Sequence, residues 1–325
     1  MNANIRTDLA LEQSEMLREG RSKDSEISGV KVETEEKDGI TVTWVKILNE
    51  EGAEAMGKPI GNYITIESEA MKENDAESHE EIIRIMAQKL GQLHNLSKDG
   101  TVLAAGLGNW QVTPDALGPR VIEKLLVTRH MNEILPEELQ EQVRSMAAIA
   151  PGVMGNTGIE TGDIIKGVAE RIKPDLIIAI DALAARRTNR INATIQMTDT
   201  GINPGAGMGN MRMRLNKETL EVPVIAIGVP TVVDAATLVN DTMNHMLAEM
   251  LREAPKGSPF YEMLMELEDD EKYGLIKDVL SPGNMFVTPK EVDEVIDRLT
   301  NIIANGVNIA FHPGVDGGDI NRFAY

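Results

Sequence analysis

The chain has 325 residues, of which 42% are hydrophobic and 26% charged, so it can fold around a large buried core. Its formal net charge of −20 argues against tight nucleic-acid binding and against attachment to an acidic membrane. Cysteine is absent, which excludes disulfides and thiol nucleophiles, and no run resembles a signal core or a membrane span, so we expect a cytoplasmic globular protein.

Hydrophobic patterning predicts alternating strands and helices after an N-terminal stretch of about thirty polar, acidic residues, which we expect to pack poorly. Strands are predicted at residues 41–48, 62–66, 102–105, 176–180, 193–197 and 222–229, and helices at residues 78–94, 116–127, 161–172, 231–251 and 288–304. Residues 254–285 are acidic and are interpreted as an insertion or a subunit contact. The predicted architecture is a single α/β domain with a mainly parallel central sheet, helices on both faces and smaller antiparallel elements.

The central stretch, residues 102–120, reads VLAAGLGNWQVTPDALGPR. A short apolar strand leads through a glycine turn into a helix, and Pro114 suits the first turn of that helix because its missing N–H costs nothing there. Asp115 therefore lies near the carboxyl end of a central strand, where α/β folds place their ligands. Asp115 is the leading candidate for a functional residue.

Two other interpretations of Asp115 stay open on the residues alone. The turn at Gly106-Leu107-Gly108 could cradle a phosphate, but Gln111 stands where a third glycine is required, and Asp115 would repel the phosphate. Asp115 could also be a carboxylate that only stabilises the helix dipole.

A second carboxylate, Asp181, follows the continuously apolar run 176–180, which is typical of a strand buried on both faces. A carboxylate there is costly unless it is paired or functional. Parallel strands end at the same edge of a sheet, so Asp115 and Asp181 can converge and share one proton as an acid–base pair. The alternatives are an ion pair with Arg186 or Arg187, and metal binding, although the five histidines show no clear ligand spacing.

Three long segments of the chain resemble the germination proteases of spore-forming bacteria: GLGNWQVTPDALGPRVIEKL, IKPDLIIAIDALAAR and DTGINPGAGMGNMRMR. The resemblance runs from Ile5 to the C-terminal region. The strand–turn–acid–helix pattern, with Asn109 as a candidate site-lining residue, is also distantly similar to the nickel–iron hydrogenase maturation proteases, where the matching acids help to bind a metal. In germination proteases the acids that match Asp115 and Asp181 are taken as essential for peptide hydrolysis.

This resemblance implies an endopeptidase of the spore core that degrades small acid-soluble spore proteins during germination. It also suggests a homotetramer. We expect no cofactor, no metal, and no direct nucleic-acid or membrane partner; the alternative is a metal-dependent hydrolase that uses the same two aspartates as ligands. The resemblance also implies a zymogen that removes its own N-terminal propeptide.

The family's substrates are cut after an acidic residue, in sequences similar to Thr-Glu followed by a bulky apolar residue, Ala, any residue and Glu. Residues 7–12 of this chain, TDLALE, have the same form, with Asp8 in place of the substrate glutamate. We therefore expect self-cleavage between Asp8 and Leu9, with residues 1–8 as propeptide and residues 9–325 as the protease domain.

Overall fold

A computed structural model describes residues 7–19, 27–131, 134–136, 140–204, 213–253, 285–316 and 318. Its strands form one sheet in the order β1-β2-β3-β7-β8-β6-β4-β5, and β9 pairs with β8. The strands are β1 Val30–Lys37, β2 Ile40–Ile47, β3 Gly61–Glu67, β4 Val102–Gly106, β5 Met146–Ile149, β6 Leu176–Ala185, β7 Thr194–Thr198, β8 Val224–Asp234 and β9 Phe286–Val287.

The sheet is mixed, so the prediction of a mainly parallel sheet is wrong. β4 pairs in parallel with β5 and β6, and β6 pairs in parallel with β8, but the other pairings between strands are antiparallel. The N-terminal strands join the central sheet through β7 instead of forming a separate element. β7 runs back because the connection of residues 186–193 is too short for the crossover that a parallel return needs.

Helices cover both faces of the sheet. They are α1 Ala10–Glu19, α2 Glu50–Met56, α3 Ala76–Leu93, α4 Leu117–Lys124, α5 Met154–Thr157, α6 Thr161–Ile172, α7 Lys217–Leu220, α8 Ala235–Glu253 and α9 Val292–Phe311. Val102 and Ala104 of β4 pack with α3, α4 and α9, whereas the alternate residues Leu103 and Ala105 pack with α6. This alternation follows from the two-residue period of a strand, and it fixes β4 as a central strand buried on both sides.

Strands β6 and β8 are longer than the sequence patterning predicts. β6 continues to Ala185 instead of ending at residue 180, and β8 continues to Asp234, so that α8 begins four residues later than predicted. The two strands pair in parallel along this extension, with a register shift after Leu183. The shared ladder gives these backbone groups hydrogen-bond partners, which outweighs the weak helical pattern after residue 230.

The N-terminal residues that the structure describes are well packed, which contradicts the expectation of poor packing. Leu9 and Ala10 are fully buried, and α1 lies over the sheet with Glu12 only 1% exposed. Arg190 stabilises the position of α1 through ion pairs with Glu15 at 2.7 Å and Glu12 at 3.5 Å. Most of the proposed propeptide (residues 1–6) and of the acidic segment 254–285 lies outside the described residues, so both assignments stay predictions.

Candidate active site

One cavity of about 850 Å³ contains both aspartates that the sequence singles out. Asp115 and Asp181 line it together with Asn109 and Asp8. The sheet therefore brings these predicted site residues to one place, although they come from three separate parts of the chain. Leu9, the residue after Asp8, is buried in an apolar cluster beside the cavity.

Asp115 is held by the loop between β4 and α4. Residues Thr113–Asp115 form one turn of 3₁₀ helix, and the Asp115 N–H donates to the Val112 carbonyl at 2.8 Å. The Asn109 N–H donates to the Asp115 carbonyl at 3.0 Å, and the Thr231 hydroxyl of β8 donates to the Pro114 carbonyl at 2.7 Å. The backbone of Asp115 is thus tied both to its own loop and to the sheet.

Gly108 makes this loop geometry attainable. Its φ is +110°, which side chains rarely adopt, and a Cβ there would lie 2.0 Å from the Asp115 carbonyl oxygen. A neighbouring pair of glycines has a related role, because a Cβ on Gly106 would lie 2.3 Å from the Gly118 carbonyl oxygen. These glycines therefore allow α4 to pack closely on β4, which accounts for the glycine turn without a bound phosphate.

We expect Gly108→Ala to destabilise the fold by about 1–3 kcal/mol through backbone strain, and to lower peptidase activity about 10- to 100-fold by displacing Asp115. Gly39→Ala is the matched control: Gly39 also has positive φ, +75°, but a Cβ there has no neighbour within 4 Å. Thermal unfolding and peptide cleavage measured on both variants separate strain from displacement. Equal activity in the two variants would contradict this role of Gly108.

Asp181 lies inside β6, opposite Gly228 of β8, and not at the end of its strand as predicted. It is 7% exposed, and its Oδ1 accepts a hydrogen bond from the Ala182 N–H at 2.9 Å. The two arginines considered as its partners make ion pairs with other acids: Arg186 with Asp241 and Arg187 with Glu15.

Thr7 and Asp8 of the N-terminal segment line the cavity, and Asp8 is half-buried there. The Asp8 N–H donates to the Ala184 carbonyl at 3.0 Å, and the Ala184 N–H donates to the Asp8 carboxylate at 2.9 Å. Burial raises the pKa of Asp8, while the Ala184 hydrogen bond and the charge of Lys58 oppose that rise. β6 therefore holds Asp8 by its backbone and its side chain together.

Lys58 and Gln196 are among the polar residues of the cavity that sequence analysis missed. Gln196 is 6% exposed and lies in β7 among apolar neighbours, so a buried amide in a strand was the available signal. Lys58 follows α2 in a polar connection and carries no such signal. Burial lowers the pKa of Lys58, and the charges of Asp8 and Glu12 partly offset this effect.

Across the described ranges, no cluster of three or more histidine, aspartate or glutamate side chains is arranged to hold a metal ion. No helix in the part of the chain that the structure describes is long and apolar enough to cross a bilayer.

Comparison with known proteins confirms the family resemblance. The family described as germination protease matches residues 7–260 and 253–324. The chain is 51% identical to a germination protease of Clostridium tetani, over 98% of this chain and 99% of that protein. It is 49% identical to a germination protease of Caldanaerobacter subterraneus subsp. tengcongensis, over 99% of this chain and 98% of that protein. It is 44% identical to one of Bacillus cereus, over 99% of this chain and 97% of that protein. The chain therefore belongs to the germination protease family.

Proposed function

We propose that the chain is an endopeptidase in which Asp115 and Asp181 activate water for hydrolysis of a peptide bond. The observation that supports this most is that both carboxylates line the cavity that also holds Asp8 of the N-terminal segment. A peptide bond, two carboxylates and room for water are the parts that acid–base hydrolysis of an amide requires.

In the proposed reaction one carboxylate takes a proton from water as the water oxygen attacks the carbonyl carbon. The other carboxyl group gives its proton to the departing amine. A pair of carboxylates that lie close together suits these opposite roles in general, because repulsion between two negative charges favours a state in which one of the two keeps its proton. Either aspartate can serve as the base in this scheme.

We further propose that the chain is a zymogen that cuts itself between Asp8 and Leu9. Leu9 is fully buried in an apolar pocket formed by Leu183, Ala185, Ile191 and Val233. The carboxylate of Glu12 accepts hydrogen bonds from the backbone N–H groups of Arg186 at 2.7 Å and Arg187 at 2.9 Å. Asp8, Leu9 and Glu12 thus each contact a matching group of the protein, as we expect the corresponding residues of a bound substrate to do.

The family supports the biological role that we propose, which is degradation of small acid-soluble spore proteins in the spore core during germination. Residues 7–12 have the form of the sites cut in those substrates, so one cavity would serve both self-cleavage and substrate cleavage. The family resemblance also suggests a homotetramer, and sedimentation equilibrium would show a mass near four times the 35.5 kDa chain.

The first test is cleavage of the peptide Thr-Glu-Ile-Ala-Ser-Glu by protein that begins at Leu9, with and without a chelator. We expect a cut after the first glutamate that the chelator does not affect. A peptide with alanine in place of that glutamate is the control for specificity. Loss of cutting with chelator would make the aspartates metal ligands, and no cutting by folded protein would refute the proposed activity.

A further inference from the structure

The carbonyl oxygen of Asp8 accepts hydrogen bonds from two side chains inside the cavity. Lys58 Nζ donates to it at 3.0 Å, and Gln196 Nε2 donates at 3.3 Å. The other end of the Gln196 amide, Oε1, accepts the Ala10 N–H at 2.7 Å. Gln196 therefore spans the bond between Asp8 and Leu9, with its donor on the carbonyl side and its acceptor on the far side.

Secondary structure fixes the backbone of both donor residues before any reaction occurs. Gln196 lies in the middle of β7, paired with Thr65 of β3 and Gly228 of β8. Lys58 directly follows Gly57, whose φ of +60° ends α2, and the Lys58 N–H donates to the Ala53 carbonyl at 3.2 Å. Donors fixed in this way need little rearrangement when charge develops on the oxygen that they face.

We propose that Lys58 and Gln196 form the oxyanion site of the peptidase, and this inference rests on the proposed cleavage between Asp8 and Leu9. When water adds to the Asp8 carbonyl carbon, the π electrons of the C=O bond move onto its oxygen, and one aspartate accepts the proton of the water. The hydrogen bonds that Lys58 Nζ and the Gln196 amide donate stabilise the resulting oxyanion. When the carbonyl re-forms, the C–N bond breaks and the Leu9 nitrogen takes a proton from the other carboxyl group.

A different role for Lys58 would be to recognise the acidic side chain before the cut bond. The contacts favour the carbonyl role, because the Asp8 carboxylate is bound by the Ala184 N–H at 2.9 Å, whereas Lys58 donates to the Asp8 carbonyl. The two roles differ in an observable way. A residue that recognises the acidic side chain affects the cleavage of acidic substrates only, whereas an oxyanion donor affects the cleavage of every peptide that the enzyme cuts.

The test uses Lys58→Met and Gln196→Met in protein that begins at Leu9. Lys72→Met is the control, because among the described residues the Lys72 ammonium donates hydrogen bonds only to Glu69 and to the Asn189 carbonyl, and the bond that the Lys72 carbonyl accepts from Arg298 is a backbone contact. Each protein is assayed on Thr-Glu-Ile-Ala-Ser-Glu and on the same peptide with glutamine before the cut bond. We expect kcat to fall about 10²- to 10³-fold on both peptides in the two cavity variants. The control should match the unsubstituted protein.

A binding measurement separates transition-state stabilisation from ordinary binding. In an Asp115→Asn background, Lys58→Met should change the affinity for the uncut glutamate peptide less than about threefold, because the lost interaction strengthens only as the oxyanion forms. A kcat loss confined to the glutamate peptide, or a loss only in KM, would overturn the inference while leaving the peptidase assignment intact. Failure of the unsubstituted protein to cut would instead refute the proposed function.

Discussion

Asp181→Asn and Asp115→Asn are each expected to lower kcat for peptide cleavage by about 10²- to 10⁴-fold, with the fold retained. Asparagine has the shape of aspartate, and at position 181 its oxygen can still accept the Ala182 N–H that Asp181 accepts at 2.9 Å. It can neither take a proton from water nor donate one as an acid. Activity should therefore fall without a comparable loss of stability, as measured by steady-state kinetics beside thermal unfolding.

The control for this pair is Asp163→Asn, since Asp163 is exposed in the first turn of α6. Alanine variants at positions 115 and 181 should be included because slow deamidation of asparagine would restore aspartate and mimic residual activity. Full-rate turnover by a folded Asp181→Asn or Asp181→Ala protein would rule out the acid–base pair.

Glu12→Ala in the full-length chain is expected to slow self-cleavage by about 10²- to 10³-fold, which corresponds to about 3–4 kcal/mol and lies within the cost of breaking a buried charged contact. Glu12 is 1% exposed and binds the N–H groups of Arg186 and Arg187, the Thr7 hydroxyl and the Arg190 guanidinium. Without it, Arg190 loses one of its partners and the segment is held in the cavity less often. Gel analysis of the time course, with N-terminal sequencing of the product, measures the effect.

Glu36→Ala is the matched control, because Glu36 is exposed on the edge strand β1. Cleavage of the added peptide by Glu12→Ala protein that begins at Leu9 should not fall below that of the unsubstituted protein, since the peptide brings its own glutamate. Unchanged self-cleavage in the Glu12 variant, or a product that begins elsewhere than Leu9, would contradict the proposed docking of the segment.

The candidate aspartates could be predicted because each follows a local signal. Asp181 interrupts a buried apolar run, where a carboxylate is costly without a role, and Asp115 follows a strand and a glycine turn at the start of a helix, where α/β folds place their ligands. Lys58 and Gln196 could not be predicted, since their position depends on β3, β7 and β8 lying side by side, which no local pattern encodes. The same reason explains why the prediction of a mainly parallel sheet is wrong: no local pattern in β7 indicates that it is antiparallel to both of its neighbours.

The packing of α1 has a consequence for the matured protein. Cleavage after residue 8 would leave Leu9, Glu12 and α1 attached to the chain, and these residues already fill the apolar pocket and the acid-binding backbone next to the cut bond. The new N-terminus is then a tethered competitor, and short tethers give effective concentrations of about millimolar. A substrate of weaker affinity could bind only after α1 dissociates from the site. Cleavage of the bond and clearance of the cavity would then be separate events, and dissociation of α1 would determine when the enzyme can bind other proteins.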